Sequence, residues 1–127
     1  MGIVGLGKMG GIRAKTIRDA EDTVLVCGTD PSPPASGFED AILLPDYRAV
    51  IDSDVDAVFV CSPNRFIPEV VEAALDAGKH VFCEKPPGRN LADVERIMAA
   101  ERRNPGLAVK VGFNHRYHYG ILEAKKI

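Results

Sequence analysis

Short apolar runs alternate with amphipathic stretches along this chain, a pattern that predicts βαβ units and a mostly parallel sheet. Residues 1–6, 23–28, 57–61, 79–83 and 107–113 read as strands, and residues 41–44 as a weaker sixth. These runs are apolar throughout instead of alternating, as expected of strands with helices on both faces. Between them, Ile67, Val70, Val71, Ala74 and Leu75 follow the i, i+3, i+4, i+7, i+8 rule, which predicts an amphipathic helix over residues 65–77 closed by Gly78. Its opposite face carries Glu69, Glu72 and Asp76. A further helix over residues 91–103 sets Leu91, Val94, Ile97 and Met98 on one side, with Asn90 as its cap and Asp93 near the positive end of its dipole. The proline-rich residues 31–37 read as a loop within the sheet. The expected fold is α/β, a doubly wound parallel sheet, with residues 1–120 as one domain and residues 121–127 opening a helix.

Composition narrows the classes of function. The 127 residues are 46% hydrophobic and 27% charged, which suits an ordinary globular domain with one core. Sixteen Lys and Arg against 18 Asp and Glu leave a net charge of -2, so no basic field draws in nucleic acid or an anionic membrane. No apolar run approaches the roughly 20 residues that span a bilayer, and the first residues lack the basic start of a secretory signal. Three scattered cysteines, Cys27, Cys61 and Cys83, without a Cys-x-x-Cys pair, point to buried reduced thiols and a cytoplasmic setting. His115 and His118 match no closed zinc pattern, so no metal is expected. Serine-hydrolase, P-loop and zincin motifs are absent.

Gly5-Leu6-Gly7-Lys8-Met9-Gly10 is a G-x-G-x-x-G, weak alone but placed directly after an apolar strand and at the opening of a helix with Gly10, Ala14 and Ile17 on one face. There Gly5 permits the tight turn, Gly7 lets backbone approach a pyrophosphate, and Gly10 lets helix and strand pack closely. The free N–H groups at the start of that helix, including those of Lys8 and Met9, face the phosphates. Asp30 stands 20 residues beyond Gly10, the spacing of an acid that hydrogen-bonds the adenosine ribose. A carboxylate there repels a 2′-phosphate, and no Arg or Lys follows in Pro31-Ser32-Pro33-Pro34, so NAD is expected over NADP. The alternative is a glycine turn that only packs, with Asp30 a solvated turn residue.

Cys83-Glu84-Lys85-Pro86 ends the fourth long strand, and strand carboxyl ends face the ligand crevice in open parallel sheets. A Lys beside a positively charged nicotinamide has its ammonium form disfavoured, which suits proton transfer. Pro86 can hold the turn that aims it, through a cis bond. The residues alone leave this reading level with a solvated Glu-Lys pair before a loop.

The fingerprint, Asp30, the strand and loop over residues 57–63, Ala77-Gly78-Lys79-His80-Val81, Glu84-Lys85-Pro86 and Val111-Gly112-Phe113-Asn114-His115-Arg116 together resemble the glucose–fructose oxidoreductase / inositol dehydrogenase / MocA family over nearly the whole chain. The resemblance implies a Rossmann domain of an NAD(P)-dependent dehydrogenase acting on a sugar, nucleotide sugar or cyclitol, with a C-terminal α/β domain not in this chain. It implies that Lys85 contacts the substrate hydroxyl and the nicotinamide and relays a proton. It places Ser62, Pro63 and Asn64 along the cofactor, Glu84 in support of the site, and Asn114 and Arg116 near the substrate crevice. The longer protein is expected to be a homo-oligomer, and this chain to bind rather than turn over. Two positions depart from the family pattern: Ile67 replaces a His, and Pro87-Gly88-Arg89 replaces an apolar continuation after Glu-Lys-Pro. The rival reading is a stand-alone, non-catalytic dinucleotide-binding module.

Overall fold

Parallel pairing joins every predicted strand into one six-stranded sheet in the computed structural model, which describes residues 1–34 and 36–127. Ala35, in the predicted loop 31–37, lies outside the described residues. The elements are β1 (Gly2–Val4), α1 (Lys8–Asp19), β2 (Cys27–Thr29), β3 (Ile42–Leu43), α2 (Tyr47–Asp52), β4 (Ala57–Val60), α3 (Ile67–Asp76), β5 (His80–Cys83), α4 (Leu91–Arg103), β6 (Val109–Val111), a 3₁₀ turn (Asn114–Tyr117) and α5 (Tyr119–Ala124). The strand order is β3-β2-β1-β4-β5-β6, all parallel. The chain starts in the middle of the sheet, winds outward through β2 and β3, and returns past β1 to build β4, β5 and β6. Adjacent β1 and β4 therefore send their connections in opposite directions, and such a switch point opens a crevice at the carboxyl ends of the strands.

Each strand is shorter than its apolar run, although single inter-strand hydrogen bonds continue past the strand ends. Val26, for example, lies outside β2 yet donates its N–H to the Met1 carbonyl at 2.9 Å. The sheet is covered on both faces. Val58, Val60, Val71, Leu75, Cys83 and Ile97 belong to the core on the α2, α3 and α4 side. Ile3, Leu6, Ala14, Ile17, Leu25 and Phe38 form a smaller core under α1.

Helix α2 was not expected from the sequence. At six residues it is too short to show a helical period, though Asp46 marks its start by accepting from the Ala49 N–H at 2.9 Å. Helix α3 begins at Ile67 instead of residue 65, with Pro68 in its first turn, where a missing N–H costs nothing. Helix α5 begins at Tyr119, so it runs across the boundary drawn between residues 120 and 121. Burial first, then the charge of Glu84, pushes the Cys61 and Cys83 thiols up to about 12.

Candidate dinucleotide site

The turn after β1 is built by two glycines that no other residue could replace without movement. Gly5 has φ +95°, and a Cβ there would lie 2.7 Å from both the Cys61 carbonyl carbon and the Ser62 nitrogen, so this turn presses against the loop leaving β4. A Cβ on Gly10 would collide with the Gly5 carbonyl oxygen, which lets α1 close directly onto the turn. Gly7 is different. It caps α1 in extended conformation, and nothing lies within 4 Å of where its Cβ would be. No side chain caps α1 and its first turn holds no acid, so the N–H groups and positive dipole end of Lys8, Met9 and Gly10 remain available to an anion.

Across this turn stands Asp30, one residue past β2. One carboxylate oxygen accepts the Leu6 N–H at 2.8 Å and the other the Ser32 N–H at 2.8 Å, which fixes a half-buried negative charge beside the glycine turn. Each oxygen retains a lone pair for a further donor. Gly5, Asp30, Ser62 and Pro63 border a cleft of about 570 Å³ whose far wall includes Tyr47 and Phe66. Ser62 Oγ is buried without a hydrogen-bond partner, an orphan of the kind that a ligand satisfies. The donor set therefore suits a dinucleotide: helix N–H groups for phosphate, a carboxylate for ribose hydroxyls and an apolar wall for a base.

Asn64, Glu84, Lys85, Asn114 and Arg116 do not line this cleft, and neither do Gly7, Lys8, Met9 and Gly10. Asn64 is half-buried in the turn before α3, where the Phe66 N–H reaches the Pro63 carbonyl at 2.9 Å. Glu84 is 6% exposed and points inward, its Oε1 accepting from Arg13 Nε at 2.7 Å. Lys85 follows it at the end of β5, exposed, before a cis Lys85-Pro86 bond. Asn114 and Arg116 are exposed on the 3₁₀ turn after β6, and the guanidinium of Arg116 lies 5.8 Å from the Tyr117 ring centre. Ile67 is 1% exposed and belongs to the core at the start of α3. Among the described residues no group of His, Cys, Asp and Glu could hold a metal.

Sequence reasoning missed Arg13, Tyr47 and Phe66. Arg13 had a signal: it falls three residues after Gly10, on the inward face of α1. Tyr47 and Phe66 start elements whose placement opposite Asp30 exists only in the folded sheet.

A parallel sheet of this order, with a glycine turn at its switch point and an acid after the second strand, defines a dinucleotide-binding domain. Residues 1–113 match the profile of the GFO/IDH/MocA family, described as "Oxidoreductase family, NAD-binding Rossmann fold", and the chain belongs to that family. It is 35% identical over 133 residues to myo-inositol 2-dehydrogenase of Thermotoga maritima, covering 99% of this chain and 39% of that protein. It is 38% identical over 132 residues to inositol 2-dehydrogenase of Acidothermus cellulolyticus, covering 98% and 39%. Among solved structures, scyllo-inositol dehydrogenase from Lactobacillus casei with bound NAD(H) and scyllo-inositol superposes with a TM-score of 0.86 at 32% identity, over 98% of this chain and 39% of that one. The chain thus spans about 39% of the length of these relatives. No helix among the described residues is long and apolar enough to cross a membrane.

Proposed function

We propose that the chain binds NAD(H) in preference to NADP(H) across the β1/β4 switch point, as the cofactor-binding part of a dehydrogenase that acts on a carbinol carbon of a cyclitol or related sugar. The observation that carries this reading is the fixed Asp30 carboxylate facing the uncapped start of α1. Gly7, Lys8, Met9 and Gly10 would hold the diphosphate, and Asp30 the adenosine ribose. Ser62, Pro63 and Asn64 would flank the cofactor. The Asp30 carboxylate already holds two N–H groups, so a 2′-phosphate beside it would meet repulsion with no cation in Pro31–Pro34 to offset it. The cyclitol assignment is supported by the inositol dehydrogenases among the relatives.

When bound, the nicotinamide would supply or take up the hydride. Lys85, exposed at the carboxyl end of β5, would move the hydroxyl proton of the substrate, while Asn114 and Arg116 would border the substrate side and Glu84 would support the turn from beneath. A homo-oligomer of the longer protein and a cytoplasmic setting complete the proposal. Calorimetric titration of this chain with NAD+, NADH and NADP+ is the test. Saturable binding that ranks NAD(H) above NADP(H) is expected, and equal or reversed ranking would remove Asp30 from cofactor choice.

A further inference from the structure

We propose that Arg13 is a positioning residue for the Glu84-Lys85-Pro86 turn, fastening it to the dinucleotide-binding helix so that the direction of Lys85 at the carboxyl end of β5 is fixed. This rests on the reading of Lys85 given above. Arg13 leaves the second turn of α1 and crosses the sheet to Glu84. Its Nε lies 2.7 Å and its Nη2 2.5 Å from Glu84 Oε1, and the two side chains are only 12% and 8% exposed. The guanidinium also lies 4.6 Å above the centre of the Phe82 ring, which stacks on Phe59 at 5.1 Å.

Stability alone is a poor account of this pair. Removing two charges from water is costly, and well-packed apolar residues commonly serve as well or better. The network is also incomplete, because Arg13 Nη2 is buried without a well-formed hydrogen bond. The surroundings are nevertheless shaped to hold it. At Gly112, just past β6, a Cβ would come 3.0 Å from Phe82 Cζ and 3.2 Å from Glu84 Oε2, so a side chain there would press on both. A charged pair retained at such a cost is best explained by what it orients.

What it orients is the residue after Glu84. The Glu84 N–H is tied to the Val60 carbonyl at 2.9 Å, so its backbone is held by the sheet while its side chain is held by α1. Lys85 is the next residue, has no side-chain hydrogen bond among the described residues and takes its direction from that anchored neighbour. The helix that receives the phosphates and the lysine that would face the reacting carbon are therefore referred to one ion pair, and a shift of α1 carries Lys85 with it.

The test measures acetylation of individual lysines by mass spectrometry, with and without NAD+, on the full chain and on R13M and R13K, at equal cofactor occupancy set from each measured dissociation constant. In the unaltered chain NAD+ protects Lys85 relative to the solvated Lys15. In R13M this protection is lost, and R13K, which returns a cation to Glu84, recovers part of it. Unchanged protection of Lys85 in R13M overturns the proposal. Should R13M fail to fold, the exchanged pair R13E/E84R decides: retained protection supports the clamp, and loss in a folded chain overturns it. If the unaltered chain binds no NAD+, the proposed function fails separately, and the clamp is then judged in the free chain. There a changed Lys85-to-Lys15 acetylation ratio in R13M supports it, and an equal ratio overturns it.

Discussion

Three side-chain-sized decisions around the glycine turn separate folding from binding. Gly10 is filled from the inside by the Gly5 carbonyl, so Gly10→Ala should destabilise the chain by about 1–3 kcal/mol in chemical denaturation, the usual cost of forcing an extra carbon into a packed contact. Gly7 has open space and an ordinary φ of -69°, so Gly7→Ala should change stability by no more than about 0.5 kcal/mol. The same Gly7→Ala chain should bind NAD(H) more weakly, because the added methyl occupies the ground a diphosphate needs. Asp30 both organises the turn and offers charge, so the isosteric Asp30→Asn is more informative than a truncation. It should weaken NAD(H) by about 1–3 kcal/mol and narrow the preference over NADP(H), as read by calorimetry. An Asp30→Asn chain with an unaltered ranking would show that the carboxylate serves the turn alone.

Helices are where sequence rules did most of their work and where their reach ended. Helix α4 was legible at both ends. Asn90 accepts the Asp93 N–H at 3.0 Å, and Asn104 stands at the other terminus, as its polar and glycine-proline signals implied. Asn90→Ala should cost about 1 kcal/mol of stability. Asp93 receives hydrogen bonds from the Arg89 guanidinium and from the Arg89 N–H, which hold its carboxyl down at about 2. Its value in the unfolded chain is about 3.9, so the stabilisation is complete above that pH and disappears as pH falls towards 2. Asp93→Asn should therefore flatten the acid side of the stability profile between pH ~4 and ~2, measured by urea denaturation at stepped pH. Helix α2 and the 3₁₀ turn escaped notice because one or two turns are too few for a hydrophobic period to emerge. The strand expected over residues 107–113 is paired only over Val109–Val111, and Phe113 leads into the 3₁₀ turn.

The whole molecule explains why the sheet could be read from the sequence while much of the site could not. Apolar runs separated by amphipathic helices define parallel strands almost unaided, and the glycine turn with its distant acid marks where two of them matter. The pairing of Arg13 with Glu84, by contrast, joins residues 71 apart, and neither residue alone shows that a helix and a strand end will meet. The placement of Tyr47 and Phe66 opposite Asp30 likewise depends on the strand order, which no local pattern encodes. Everything proposed for this chain requires a dinucleotide across the β1/β4 switch point. The most direct measurement is the map of backbone amide shifts as NAD+ is added to the isotopically labelled chain. Saturable shifts are expected in the amides of Leu6, Gly7, Lys8 and Met9, at Asp30 and Ser62, and at Lys85. Saturable shifts confined to other surfaces, or none at millimolar NAD+, would contradict it.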